Sequence, residues 1–274
     1  MKTLAYEVDG RVARITLDRP ERGNAITLDT PRELTECVER ANLDPAVHVI
    51  ALAGRGKGFC GGYDLNEFAE RELPNHDPSK PWDPVIDWQM MSRNVRGFMS
   101  LFHSDKPVVC KVQGFCVAGG TDMALCSDLL VIAEDARIGY PPARVWGVPT
   151  TALWAYRIGP ARAKDLLFTG DLISGRTAYE WGLALCAPPP DELDRRFEAL
   201  VQRIALTPVN QLVMMKLLVN QSLYAQGLHA TQLLGTVFDG ITRHTPEGYA
   251  FQRRAAEEGW REAVRERDEP YGER

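Results

Sequence analysis

The chain has 274 residues, of which 45% are hydrophobic and 25% charged, as in a globular protein large enough to bury a full core. Its net charge of −5 and its pI near 5.6 exclude a general attraction to nucleic acid or to an anionic membrane. The sequence has no run of about 18 apolar residues and no secretory apolar segment near its start, so we expect an unprocessed cytoplasmic protein.

The elements at the N-terminal end predict a sheet. Leu4–Val8 and Val12–Leu17 alternate apolar and polar residues around Asp9-Gly10, which is a strong hairpin signal. Thr30-Pro31-Arg32-Glu33 is a possible capping box ahead of an apolar stripe at helical spacing, and Val47–Ala53 is typical of a buried strand. This order of strand, strand, helix and strand predicts the α/β class.

Two glycine-rich turns each follow an apolar run and precede a predicted helix. The first is Gly54 to Leu65 (GRGKGFCGGYDL), and the second is Gln113 to Asp128 (QGFCVAGGTDMALCSD), which follows a predicted strand at Val108–Val112. Glycines between a strand and a helix expose bare N–H groups at the start of the helix, and these groups can bind an oxyanion. Together the two turns could supply one N–H each to a thioester oxygen that becomes an enolate.

The remaining elements divide the chain into two parts. Glu70 to Pro84 is polar and rich in proline, which predicts a surface loop or lid before a helix over Val85–His103. The triple proline at 188–190 predicts a hinge, because strand signals stop there. Four helices are predicted after it, at Asp191–Leu206, Val209–Ala225, Leu228–Arg243 and Glu247–Glu266. We therefore expect a core over residues 1–190 and a helical region over residues 191–274.

The two glycine-rich turns, in this order and about sixty residues apart, resemble those of the crotonase (enoyl-CoA hydratase/isomerase) superfamily. Further matching motifs are Leu17-Asp18-Arg19-Pro20, Asn24-Ala25, Lys106-Pro107, Cys126-Ser127-Asp128 and Leu167-Phe168-Thr169-Gly170. The resemblance covers nearly the whole chain, and it implies a spiral of ββα units followed by C-terminal helices that build trimer contacts. It also implies an enzyme that processes an acyl-CoA thioester and assembles as a homotrimer or homohexamer.

The resemblance implies a set of ligand-binding residues. It assigns the thioester oxygen to the backbone N–H groups of Cys60 and Gly119. Coenzyme A, as part of the substrate, would lie along positions that match the family's adenine and pantetheine contacts, namely Arg22, Ala25, Gly62, Tyr63 and Asp64. Nearby basic residues suit its phosphates, although solvated surface charges explain them equally well; they are Arg14, Arg19, Arg22, Arg55 and Lys57.

Asp122 is the candidate acid–base residue, because it matches one of the two glutamates of enoyl-CoA hydratases. A carboxylate in the first turn of a helix is also favoured by the helix dipole, so a capping role stays open. The position of the second glutamate is Pro142, which has no acid, base or N–H. A single acid–base group predicts slow hydration of a 2-enoyl thioester or migration of its double bond, and it leaves open a non-catalytic acyl-CoA sensor.

The segment around Pro142 also lacks the glycine-rich run of hydratases, so its larger side chains are candidate pocket residues. They are Tyr140, Arg144, Trp146 and Thr150. Arg144 would recognise a carboxylate on the acyl group, or it would pair with a surface acid. No motif places a histidine beside Cys60 to activate its thiol, and the six cysteines form no metal-type CxxC pair. We therefore expect no metal and no permanently bound cofactor.

Overall fold

The computed structural model describes residues 1–70 and 75–272. The chain begins with strands β1 (Leu4–Asp9) and β2 (Val12–Leu17), which pair antiparallel along their full length. Gly10 lies in the turn with a φ of +56°, a conformation that costs glycine little. The predicted hairpin is therefore confirmed.

The described strands form two mixed sheets, and the hairpin belongs to the larger one. The larger sheet has the order β1-β2-β3-β4-β6, in which β3 is Val49–Gly54, β4 is Val108–Val112 and β6 is Leu129–Ile132. The smaller sheet has the order β5-β7-β8, in which β5 is Phe115–Val117, β7 is Arg137–Gly139 and β8 is Leu172–Ser174. The strands after the hairpin pair in parallel, except β7 with β8, and helices connect them. The α/β class is confirmed.

The helices that cover the sheets before the triple proline are α1 (Thr30–Leu43), α2 (Leu65–Phe68), α3 (Pro84–His103), α4 (Gly119–Leu125), α5 (Leu153–Thr169) and α6 (Gly175–Glu180). The sequence patterns do not predict α5, because its apolar residues form no clear stripe and Gly159-Pro160 kinks it. Of the predicted loop at 70–84, residues 71–74 lie outside the described part of the chain. Residues 75–83 contain no helix or strand.

The predicted capping box at the start of α1 does not form. Its N-cap residue, Asp29, makes no side-chain cap bond. The carboxylate of Glu33 instead accepts hydrogen bonds from the backbone N–H groups of Lys2, at 2.7 Å, and Thr3, at 2.9 Å. Glu33 therefore joins the helix to the N-terminal segment.

The C-terminal region contains five α-helices within its described residues, one more than predicted. They are α7 (Leu193–Ala205), α8 (Val209–Ala225), α9 (Leu228–Arg243), α10 (Pro246–Glu258) and α11 (Trp260–Asp268). Gly259 separates the last two with a φ of +90°, so a single helix there was a wrong prediction. α7 packs on the larger sheet through Leu193, Phe197 and Val201, and therefore belongs to the main core. None of the described helices has the length and apolarity that a membrane span requires.

Candidate active site

A cavity of about 290 Å³ lies where the two glycine-rich turns meet the C-terminal helices. Gly61 and Tyr63 of the first turn and Val117, Ala118 and Gly119 of the second form one part of its wall. The rest of the wall is largely apolar, with Leu65, Phe68, Met90, Met91, Phe251, Trp260 and Val264. The structure thus brings the two turns together beside a space that suits an acyl chain.

The backbone N–H of Cys60 already donates a hydrogen bond within the protein. Its N–H lies 3.3 Å from the carbonyl oxygen of Phe115, within a bridge between Cys60 and Cys116. The residue is fully buried, and burial raises the pKa of its thiol to about 12. Cys60 does not line the cavity, so its assignment as an oxyanion donor is corrected, and its thiol stays protonated at neutral pH.

Tyr63, three residues further on, has the free N–H that Cys60 lacks. The residues beside it form a ladder with Ile26, because the Ile26 N–H donates to Gly62 O at 2.8 Å and the Asp64 N–H to Ile26 O at 2.9 Å. Alternation along this ladder leaves the N–H of Tyr63 without an acceptor among the described residues. The sequence motif does not reveal this difference, because it depends on how Ile26 pairs with the turn.

Gly119 lies next to Tyr63 and begins α4, so its N–H has no acceptor within the helix. A Cβ atom added to Gly119 would lie 2.7 Å from the ring of Tyr63, and one added to Gly62 would lie 3.6 Å from Gly119 N. Both turns approach this closely only because glycines occupy them. Two free N–H groups, from Tyr63 and Gly119, therefore meet at the cavity wall.

Asp122 lies three residues into the same helix and is 1% exposed. One of its carboxylate oxygens, Oδ1, accepts hydrogen bonds from the backbone N–H of Thr151 at 3.0 Å and from its hydroxyl at 2.8 Å. The other oxygen, Oδ2, is buried without a partner among the described residues. The carboxylate does not cap its own helix, and it lies behind the residues that line the cavity.

Burial raises the pKa of Asp122 to about 7, against the lowering effect of the hydrogen bonds from Thr151. The negative charge of Asp239 adds to the rise. Near neutral pH the group is therefore present in both its acid and its base form, which a proton-transfer residue requires.

The candidate pocket residues fall into two groups. Tyr140 and Trp146 line the cavity, whereas Thr150 is buried behind it with a hydroxyl that has no partner among the described residues. Burial raises the pKa of Tyr140 well above its usual value, so its phenol stays protonated at neutral pH. Trp146 has a φ of +82°, which is a strained backbone for a large side chain, and its ring packs on Phe251.

Arg144 does not line the cavity. Its guanidinium pairs with Asp171 at 3.1 Å and with Asp268 at 2.9 Å, and it lies 4.1 Å from the ring centre of Tyr271. Of the two roles open for Arg144, the structure shows the pairing with acids.

The five predicted coenzyme A positions lie along one edge of the first turn. Arg22 is exposed, whereas Asp64 caps α2 and pairs with Arg19 at 3.0 Å. The carbonyl of Ala25 accepts a hydrogen bond from Arg19 at 2.8 Å, and that of Gly62 accepts one from Ile26. Of the five, only Tyr63 lines the cavity; the others border the turn that leads to it.

Two polar residues of the cavity wall, Asp239 and Arg243 on α9, lie in no recognisable sequence motif. Arg243 pairs with Asp239 and, at 2.9 Å, with Asp87 of α3. Asp87 also meets His76 and His244 in a cluster of metal-ligand type, but Arg243 already supplies its positive charge. We therefore interpret the cluster as a buried ion-pair network behind the cavity.

Similarity to known proteins agrees with this geometry. A family model described as "Enoyl-CoA hydratase/isomerase" matches residues 7–249. A crystal structure of an enoyl-CoA hydratase from Mycobacterium smegmatis is 61% identical and superimposes with a TM-score of 0.95, covering 98% of this chain and 94% of that one. A Thermus thermophilus protein with the name "Putative enoyl-CoA hydratase" is 33% identical over 202 residues, which are 72% of this chain and 75% of the relative.

The fold and the cavity therefore define a protein of the crotonase class. The chain belongs to the enoyl-CoA hydratase/isomerase family and is an enzyme of that family, acting on acyl-CoA substrates. The α/β crotonase fold with C-terminal helices, which the sequence motifs predict, is confirmed.

Proposed function

We propose that this enzyme binds an enoyl-CoA thioester with its carbonyl oxygen between the N–H groups of Tyr63 and Gly119. The observation that carries the proposal is the pair of free N–H groups at the wall of an apolar cavity. Such donors stabilise negative charge as it develops on the oxygen, which is usually the largest electrostatic contribution to this chemistry. Coenzyme A would follow the edge formed by Arg22, Ala25, Gly62, Tyr63 and Asp64.

Asp122 would move the proton at C2 of the acyl group. Its pKa near 7 allows it to give or take a proton at neutral pH, and its unpartnered oxygen is the one free for that exchange. Pro142 offers no second acid–base group at the position where hydratases have a glutamate. We therefore expect enoyl-CoA hydratase or isomerase activity, with hydration slower than in an enzyme that has two glutamates.

Steady-state rates on crotonyl-CoA and on a 3-enoyl-CoA test this function in the wild type and in Asp122→Asn. The variant keeps the shape of the side chain and the acceptor for Thr151, so its loss of activity reports on the proton. We expect wild-type turnover and at least a hundredfold lower kcat in the variant. A fast crotonyl-CoA reaction that is indifferent to Asp122→Asn contradicts the assignment.

A second candidate function is a non-catalytic acyl-CoA sensor. The burial of Asp122 behind the cavity wall favours it, together with the proline at position 142. Calorimetric titration with enoyl, hydroxyacyl, dienoyl and malonyl-type thioesters separates the two candidates. Micromolar binding, near −8 kcal/mol, is expected for both, and only the enzyme also shows turnover.

We further propose that residues 191–274 serve as the oligomerisation region of a homotrimer or homohexamer. α8 and α9 of the single chain expose apolar side chains, and contact with another copy of the chain would remove them from water. They include Met214, Met215, Leu217, Leu218, Val219, Leu234 and Phe238.

A further inference from the structure

Asp239 is a carboxylate of the cavity wall, and it comes from a different helix than Asp122. It lies on α9, is 4% exposed and lines the cavity, whereas Asp122 lies behind the wall. The position where hydratases have their second glutamate is Pro142, which also lines this cavity. The chain thus lacks a carboxylate on the usual loop but has one on a helix that faces the same space.

A short series of contacts leads from Pro142 to Asp239. A Cβ atom on Gly147 would lie 2.8 Å from the Cβ of Pro142 and 3.4 Å from the hydroxyl of Tyr140, so these residues touch at one spot. The next residue, Val148, donates its N–H to Oδ1 of Asp239 at 3.2 Å. The carboxylate of Asp239 therefore lies beside the loop that would otherwise carry the missing glutamate.

The same segment holds both carboxylates. Thr151, three residues after Val148, donates two hydrogen bonds to Asp122. Three residues of extended chain span about 10 Å at most, so the two attachment points are close. The charges of both Asp122 and Asp239 raise the pKa of the Tyr140 phenol, after the larger effect of burial, which agrees with a shared site.

α9 runs along this segment on one face. Gln232 donates to the carbonyl of Thr151 at 3.1 Å, and Gly235 lies against the carbonyl of Pro149, where a Cβ atom would be only 2.9 Å away. Asp239 follows these residues at helical spacing and meets Val148. The side chain is therefore placed by the packing of a whole helix.

Arg243 fixes the other oxygen of Asp239. The guanidinium is 6% exposed and is shared between Asp239 and Asp87, so two carboxylates surround one positive charge and the cluster keeps a net negative charge. A carboxylate accepts up to about four hydrogen bonds, and the described partners of Asp239 use one on each oxygen. Its oxygens can therefore still accept a hydrogen bond from a water molecule in the cavity.

We propose that Asp239 is the second catalytic carboxylate, which orients and deprotonates the water that adds to C3 of the enoyl group, with Arg243 as its positioning residue. This inference rests on the proposed function. As the water oxygen bonds to C3, its proton passes to Asp239 and the π electrons of the C2–C3 double bond move toward the thioester oxygen. C2 of the resulting enolate takes the proton of the Asp122 carboxyl. Asp239 then returns its proton to solvent and Asp122 regains one, so the net change is addition of one water.

The test compares Asp239→Asn and Asp239→Glu with the wild type on crotonyl-CoA. The asparagine keeps an acceptor for Val148 but cannot accept the proton, so kcat for hydration falls by roughly 10²- to 10⁴-fold. The glutamate variant should have a kcat at least tenfold higher than that of the asparagine variant. Its kcat should still be at least tenfold lower than that of the wild type, because its carboxylate is displaced. Binding of butyryl-CoA, which cannot be hydrated, stays within threefold in both variants. Glu257→Gln, the same loss of charge on the exposed face of α10, keeps wild-type rates.

Proton exchange at C2 of butyryl-CoA in D₂O separates the two carboxylates. Asp239→Asn keeps this exchange and Asp122→Asn loses it, a split that a merely structural role for Asp239 does not produce. A wild-type kcat in either Asp239 variant overturns the inference. A variant whose butyryl-CoA affinity and melting temperature fall together with its kcat also overturns it. If the asparagine variant does not fold, the glutamate variant serves as the test. A kcat at least tenfold below that of the wild type then supports the inference, and a wild-type kcat overturns it. A wild-type enzyme that binds butyryl-CoA but turns over no thioester removes the proposed function, and this inference with it.

Discussion

Thr151 donates both of its hydrogen bonds to the same oxygen of Asp122 and leaves the other oxygen without a partner. Two donors stabilise the ionised form, yet burial outweighs them and raises the pKa to about 7. The carboxyl is thus fixed in orientation through one oxygen while its other oxygen stays available for a proton. One held oxygen and one available oxygen are what a proton-transfer residue needs, whereas a helix cap would bind the N–H groups of its own helix.

The raised pKa of Asp122 predicts how stability depends on pH. Between pH 4 and pH 7 the folded protein keeps a proton that the unfolded chain has released, so the free energy of unfolding falls as pH rises through this range. The contribution is about 4 kcal/mol at most. Asp122→Asn lacks it, so the variant gains stability relative to the wild type from pH 5 to pH 8 in urea unfolding. Glu257→Gln is the control, and a pH-independent difference for Asp122→Asn contradicts the shift.

Gly119→Ala tests the pair of free N–H groups. The new Cβ would lie 2.7 Å from the ring of Tyr63 and 3.1 Å from Ile26, which forces the two turns apart. Loss of one oxyanion donor typically lowers kcat by 10²- to 10³-fold, so we expect a drop of that size in steady-state assays. Gly10→Ala is the control, because Gly10 lies in the turn between β1 and β2 and its new Cβ would meet nothing within 4 Å. A folded Gly119→Ala enzyme with unchanged kcat contradicts the assignment.

Elements whose sequence signal is local can be predicted from the sequence, and features that depend on tertiary pairing cannot. The hairpin, α8 and α9 were predicted with their bounds nearly correct, because turn residues and apolar spacing lie within each element. The motif led to the N–H of Cys60, whereas the N–H without an acceptor among the described residues is that of Tyr63, because strand pairing with Ile26 and Phe115 decides which N–H is free. That pairing is a property of the fold and leaves no mark in the motif.

Asp239, the carboxylate that we propose acts on water, likewise could not be identified from the sequence. No motif surrounds it, and only the packing of α9 along residues 148–151 brings it to the cavity. Glu33 is a related case, because its position fits a capping box and yet its carboxylate binds Lys2 and Thr3, which are distant in sequence. A side chain whose partner lies far along the chain cannot be assigned from spacing alone.

Charge reversal at Arg22 or Lys57 tests the path of coenzyme A. Both side chains are exposed, so each contributes a modest and screened attraction to phosphate, typically below about 1 kcal/mol. We expect Arg22→Glu and Lys57→Glu to weaken butyryl-CoA binding roughly fivefold at low salt, with a smaller effect at high salt, as measured by calorimetry. Lys164→Glu, on the exposed face of α5, leaves affinity unchanged. Equal weakening by all three variants contradicts a localised phosphate site.

Arg144→Gln separates structural pairing from recognition of the substrate. The side chain is 8% exposed and binds Asp171 and Asp268, so its removal breaks two ion pairs, while Asp268 keeps its contact with Arg267. Loss of one partner of a buried pair costs about 3–5 kcal/mol, and we expect a clear fall in melting temperature. The affinity for butyryl-CoA and for a thioester with a terminal carboxylate should change by the same factor. A selective loss of the carboxylate-bearing thioester would show that Arg144 recognises the acyl group.

Leu218→Glu tests the proposed oligomerisation surface. Leu218 is 68% exposed on α8 and lies beside Leu217 and Val219, which are 58% and 63% exposed. If this face is covered by another copy of the chain, a buried carboxylate there has no partner and costs several kcal/mol, which is enough to break an interface. Light scattering should give three or six times the 30.6 kDa chain mass for the wild type and a smaller species for the variant. Leu43→Glu is the control, because Leu43 is 74% exposed at the end of α1, outside residues 191–274, and its variant should assemble normally. A wild-type mass of one chain at micromolar concentration contradicts the assembly, and an unchanged mass in Leu218→Glu places the contact elsewhere.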